Sequence, residues 1–160
     1  MVYSEAYQRT RDIDWFFRSG DRCIHVASDG GTLPYFVNDV QRLRTEQAEV
    51  SMLEDIKDVE IEINESYVKQ RITAIVESKR RNGSDNVNEQ SVRTSYLASF
   101  VAMARKGFYS YDSAYSGDSA YVLICGPKEP VEIGIQLLEA DGEVLFENED
   151  KSFFLVNTRY

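Results

Sequence analysis

The chain reads as an α+β fold: an N-terminal β-hairpin, about three helices in the first two thirds, and a C-terminal antiparallel β-meander packed on them. Three observations predict this. Two short apolar runs flank a turn near the start, helical periodicity is confined to the middle, and after Gly107 the texture changes to short strand-like runs separated by turn pairs. Helices gathered in one stretch, with sequential hairpins after them, separate this class from a doubly wound parallel sheet.

The opening hairpin pairs Asp14-Trp15-Phe16-Phe17 with Arg22-Cys23-Ile24-His25-Val26-Ala27 across the turn-forming Ser19-Gly20-Asp21. Asp29-Gly30-Gly31-Thr32 breaks the second strand. Leu33-Pro34 then opens a helix running to about Ala48, since proline suits a first helical turn and Phe36, Val37, Val40 and Leu43 recur at helical spacing. Val59, Ile61 and Ile63 alternate with Glu60, Glu62 and Asn64, the pattern of a half-buried strand with an acidic outer face.

Val68, Ile72, Ile75 and Val76 mark a second helix. Lys79, Arg80 and Arg81 fall in its last turn, where positive charge favours the carbonyl end of the dipole, and Gly83 fits its stop. Asn86, three residues before Glu89, resembles an N-terminal cap. The third helix follows with a broad apolar face of Val92, Tyr96, Leu97, Phe100, Val101 and Ala104, and ends at Gly107. Strands are then expected at 108–111, 120–125, 131–138, 143–146 and 152–156, with turns at Gly126-Pro127, Asp141-Gly142 and Asn148-Glu149-Asp150.

At 160 residues the chain has the size of one domain. A chain of this length buries roughly 70% of the surface its unfolded form exposes, so it needs no metal or disulfide staple. No Pro- or Gly-rich linker and no fixed-period repeat divides it. Cys23 and Cys125 sit far apart in apolar runs and read as buried, reduced thiols rather than a disulfide framework. Residues 1–11 are polar and show no signal-peptide core, and no apolar run is long enough to span a bilayer. A soluble, cytoplasmic protein is the expectation.

A net charge of −9 counts against many phosphate contacts, so nucleic acid is not an expected partner. The charge comes in blocks. Residues 46–65 are acidic with Lys57 their only base, Lys69 to Arg81 is basic, and 129–150 is acidic again. Such blocks are first of all solvated faces; their second use is to steer a basic partner. The 10 Tyr and 8 Phe exceed what a small core needs, and tyrosine suits half-wet grooves and interfaces, although it is also a good strand former.

The segment 12–34 holds the only Trp (Trp15), the only His (His25) and the only Gly pair (Gly30, Gly31), and is where a small-molecule site would sit. His25 is the one candidate base. Cys23, two residues along the same strand face, would be about 6.5–7 Å away, too far for a thiolate–imidazolium pair, so a packed core histidine is the simpler reading. Asp29-Gly30-Gly31 could offer backbone N–H groups to an anion, but it lacks the Lys of a Walker loop and the three spaced glycines of a dinucleotide turn.

Tyr109, Tyr111, Tyr115 and Tyr121 accompany Asp112 and Asp118, a composition suited to a polar groove on a half-exposed strand face. Their spacing matches no calcium loop. One His and two distant Cys cannot form a nitrogen–sulfur zinc site, and nothing calls for a cofactor.

With no catalytic motif, the sequence favours a non-enzymatic interaction module (a regulator, adaptor or inhibitor) that meets a protein partner, basic in character, through acidic and Tyr-rich surfaces. Glu60 and Glu62 are the partner-binding candidates, and self-association is left open. The alternative is a small-molecule-binding protein or hydrolase using Trp15, His25, Asp29, Gly30 and Gly31, with Tyr109 and Tyr111 as further ligand contacts.

Overall fold

In the computed structural model, which describes residues 1–114, 119–140 and 142–156, the opening hairpin forms where its turn residues place it. Strands β1 (Asp14–Ser19) and β2 (Arg22–Ala27) pair antiparallel from Asp14↔Ala27 to Ser19↔Arg22. A five-residue helix, α1 (Glu5–Arg9), precedes them, capped by the Ser4 side chain. Helix α2 (Val40–Ser51) starts later than the Leu33-Pro34 reading. Residues 34–37 make a turn instead, and Asp39 is the cap, its carboxylate accepting from Arg42 N at 3.1 Å. Leu33 and Val37 are buried all the same, as part of a loop.

Strand β3 (Ile61–Ile63) leads into α3 (Glu65–Arg81) and α4 (Glu89–Arg105). Both long helices match their sequence pattern. The α4 cap is Asn88, not Asn86: its side chain accepts from Ser91 N. Strands β4 (Phe108–Ser113), β5 (Ala120–Pro127), β6 (Val144–Phe146) and β7 (Phe153–Val156) complete one sheet in the order β1-β2-β4-β5-β7-β6. β3 pairs with the far end of β5, on the edge that β7 also uses. Asn64 joins the two short strands there, with its N–H on Ile124 O and its Nδ2 on Leu123 O.

The α+β class holds, with an N-terminal hairpin and a set of C-terminal strands, but three pairings differ from a simple meander. β2 and β4 are parallel neighbours, Cys23↔Phe108 to Ala27↔Asp112. β7 lies between β5 and β6. The expected strand at 131–138 forms no ladder; Ile133 and Leu137 pack inward beside Cys23 and Val50, and Glu139 makes an isolated bridge with Arg18. Asp141 of the expected turn, and Tyr115 and Asp118 of the expected Tyr–Asp groove, lie outside the described residues.

The sheet curls tightly. Trp15 on β1 and Tyr121 on β5 lie three strands apart, which in a flat sheet is about 14 Å; their rings meet at 5.5 Å. Phe17 and Phe154, one strand further apart, meet at 5.6 Å. Trp15, Phe17, Ile24, Val26, Tyr109, Tyr111, Tyr121 and Phe154 fill the concave side. Helices α3 and α4 cover the convex side over Val122, Ile124 and Cys125. Gly126 lies so close to the Tyr109 ring that any Cβ there would collide with it.

Candidate functional site

The residues singled out in 12–34 do not converge. Trp15 and His25 are both fully buried, yet on opposite faces of the sheet: Trp15 points into the aromatic interior, and His25 lies under α4 against Phe16 and Phe100. Asp29 is exposed on the loop after β2. The backbone donors of that loop are already engaged: Asp29 N with Asp12 Oδ1, Gly30 N with Arg11 O and Gly31 N with Ser28 O. Gly30 has φ +77°, and a Cβ would stand 3.1 Å from Arg9 O, so the Gly pair serves a close chain crossing. No helix begins there to add its dipole.

Tyr109 and Tyr111 are interior residues rather than a half-exposed face. The Tyr111 hydroxyl donates to Lys151 O at 2.6 Å, and burial pushes its ionisation far upward. The Tyr109 ring carries the Arg22 guanidinium at 4.1 Å. The aromatic excess is thus largely absorbed by the curl of the sheet. Both cysteines are buried and unbridged, and burial pushes the Cys125 thiol up to about 12.

His25 has partners that the sequence pattern did not disclose. Parallel pairing of β2 with β4 sets it beside Ser110, whose Oγ is hydrogen-bonded to Nδ1. Nε2 stands 2.7 Å from Asp14 Oδ1. A carboxylate only accepts, which places a proton on Nε2; in the neutral imidazole Nδ1 then accepts from the Ser110 hydroxyl. Asp, His and Ser follow one another as in an acyl-transfer triad. Access is what they lack: Ser110 is 0% exposed, with Phe100 above the imidazole, so no acyl group can reach its hydroxyl. The trio is a polar ladder that ties β1, β2 and β4 in register.

At the end of the same parallel pair, Asp112 is buried as well. Burial raises its carboxyl to about 6 against the lowering effect of two donors, the Tyr96 hydroxyl at 2.7 Å and Ser113 N at 2.9 Å. Arg71 adds positive charge nearby, and Asp29 adds negative charge. This carboxyl is saturated by its own fold.

A different situation holds along α2. Val40, Leu43, Glu46 and Val50 form its buried stripe, so a glutamate stands at a core-facing position. Glu46 lines a cleft of about 580 Å³ between α2 and residues 136–139, with Arg42, Thr45, Glu49, Gln136 and Glu139 around it. Among the described residues no hydrogen bond or ion pair reaches its carboxyl. Burial, then Glu49 and Asp39, push it up to about 7 against the pull of Arg42. An adjoining cleft of about 450 Å³ shares Arg42, Leu138 and Glu139 and adds Asp39, Glu143, Val2 and Tyr35. Val2 and Tyr35 are 65% and 71% exposed on its rim.

Sequence reasoning missed this face. The signal was available in Glu46, spaced three residues after Leu43 and four before Val50, on the apolar stripe of a helix.

Glu62 lies on β3 and Glu60 just before it, both exposed; Glu60 faces Lys128 at 3.5 Å. Among the described residues no group of three His, Cys, Asp or Glu could hold a metal ion, and no helix is long and apolar enough to cross a membrane. No known protein family, curated protein or solved structure matches this chain at a significant level.

Proposed function

We propose that this chain is a non-enzymatic interaction module that binds a basic protein partner through the face formed by α2, residues 136–139 and Glu143. One observation carries the reading: the two adjoining clefts gather Asp39, Glu46, Glu49, Glu139 and Glu143 beside the exposed Tyr35 and Val2. Carboxylates around exposed aromatic and apolar side chains suit a partner that presents lysine or arginine on an apolar surface. Among the described residues the only basic side chain lining these clefts is Arg42, whose Nη2 donates to Phe36 O at 2.7 Å. A net charge of −9 favours a protein partner over nucleic acid.

Affinity capture from native-source lysate tests this, using wild type, an E49K/E139K variant and an E60K/E62K variant at low and high salt. A basic protein should be held by wild type and E60K/E62K, and lost from E49K/E139K and at high salt. Equal capture by E49K/E139K, or a partner retained regardless of salt, would sink the reading.

A further inference from the structure

The proposed partner face has a floor, and Glu46 is it. Leu43 and Val50 carry this side of α2 into the core, and Glu46 goes inward with them until it is 5% exposed. An ion pair with Arg42, one turn earlier, would be the usual remedy. Arg42 instead engages Phe36 O, and among the described residues no donor replaces it. A carboxyl sunk this far with no protein donor has lost much of its hydration, and its oxygens meet solvent only through the cleft.

The cleft above Glu46 has a particular chemistry. Leu137 and Leu138 provide apolar wall, Gln136 is neutral, and Glu49 and Glu139 provide carboxylates nearer the rim. Glu139 is held there by the bridge between its backbone and that of Arg18 on β1. An apolar stem tipped by a planar cation matches that order of surfaces. Arginine carries such a stem, remains charged at any working pH, and pairs with carboxylates through a fork of N–H groups.

We propose that the Glu46 cleft is a subsite for one arginine side chain presented by the partner, with Glu46 as its floor and Glu49 and Glu139 as its rim. This rests on the interaction-module reading and names the chemistry of its central contact. Binding is then linked to protons. The guanidinium needs Glu46 ionised, so a protonated Glu46 releases its proton to solvent as the cation enters. The groups that face it are Asp39 at the α2 cap, Arg42 and Glu49 from α2, and Gln136 and Glu139 from the opposite wall. Among them Glu46 is the carboxyl raised to about 7, so affinity rises with pH through neutrality.

The probe is N-acetyl-arginine amide, titrated into ¹⁵N-labelled protein while the α2 and 136–139 amides are followed. Wild type should show saturable shifts there, with affinity about tenfold weaker at pH 6 than at pH 8, as expected for a site requiring one ionised group of pKa near 7. Glu46→Gln keeps the shape and removes the buried charge. It should bind about tenfold or more weakly at pH 8 and lose the pH dependence. Equal affinity in Glu46→Gln, no pH dependence in wild type, or shifts confined to other surfaces would overturn the subsite. Lysate capture keeps the two proposals apart. A partner lost from E49K/E139K but held by Glu46→Gln refutes the subsite and leaves the module standing. Arginine amide seated at Glu46, with capture indifferent to E49K/E139K, does the reverse.

Discussion

Asp112 and Glu46 are acids withdrawn from water to nearly the same degree, 4% and 5% exposed, and the fold treats them in opposite ways. Asp112 sits beneath α4 with a hydroxyl and a backbone N–H on its two oxygens. Glu46 sits beneath a cleft, and Arg42, the cation lining it, gives its hydrogen bond to Phe36 O instead. Both are pushed up by burial, to about 6 and about 7. What separates them is the supply of donors. A saturated polar group belongs to the architecture, whereas an open one under a cleft marks a place where a second molecule can complete the hydrogen bonding.

The Asp14–His25–Ser110 ladder belongs with Asp112 on the saturated side, and breaking it should give the largest effect. His25→Ala removes a fully buried ring, leaves a cavity beneath Phe100 and strips Ser110 of its partner. A loss of about 3 kcal/mol is expected, from cavity and orphaned hydroxyl together. Urea unfolding followed by Trp15 fluorescence reads it directly. A loss under about 1 kcal/mol would mean that the ladder does not hold the strands, and the contrast with Glu46 would fail from that side.

How far the sequence disclosed these features follows from which interactions are local. Helices α3 and α4 and the first hairpin were legible because their signals (apolar spacing, Gly107 as a stop, Ser19-Gly20-Asp21 as a turn) lie within one element. Residues 131–138 misled because Val131, Ile133, Ile135 and Leu137 alternate like a strand. Alternation reports which side faces the core; it does not say whether a ladder partner exists, and residues 131–138 form no ladder.

The Ser110 partner of His25 was illegible for a related reason. It depends on β2 and β4 lying parallel across a connection of some eighty residues, an arrangement with no local signature. Glu46 was legible in principle, as a charged residue on an apolar stripe. It went unnoticed because it also opens the acidic block 46–65, where a charge excites no attention.

On the open side, the effect of substitution should change sign. For Glu46 the folded value of about 7 lies above the ordinary 4.5, so between these the native state holds more protons than the unfolded chain. Stability therefore falls as pH rises through that window, and the penalty is fully present above pH 7. Glu46→Gln removes it. The variant should be more stable than wild type by about 1–2 kcal/mol at pH 8 and nearly equal to it at pH 4.5. Paired thermal melts at the two pH values check this. A destabilised variant at pH 8 would show that the ionised carboxyl has a structural partner, and the distinction from Asp112 would collapse.

The smallest effect is expected where charge is exposed on both sides. Glu60 and Lys128 are 3.5 Å apart with side chains 75% and 56% exposed, so their attraction is shared with water and screened by salt. Reversing the acids at and just before β3 in E60K/E62K should shift stability by less than about 0.5 kcal/mol. Capture of the partner should be unchanged within about threefold at low salt, since a rim charge distant from the anchor alters association more than retention. E49K/E139K carries the same change in net charge, so a difference between the two variants cannot come from overall electrostatic attraction. If both weaken capture equally, the partner responds to the whole acidic surface and the α2 clefts lose their special standing. If only E49K/E139K does, the decisive property is the conjunction of carboxylates with an apolar-walled cleft, and the acidic strand β3 is what its alternation first implied, the solvated face of a half-buried strand.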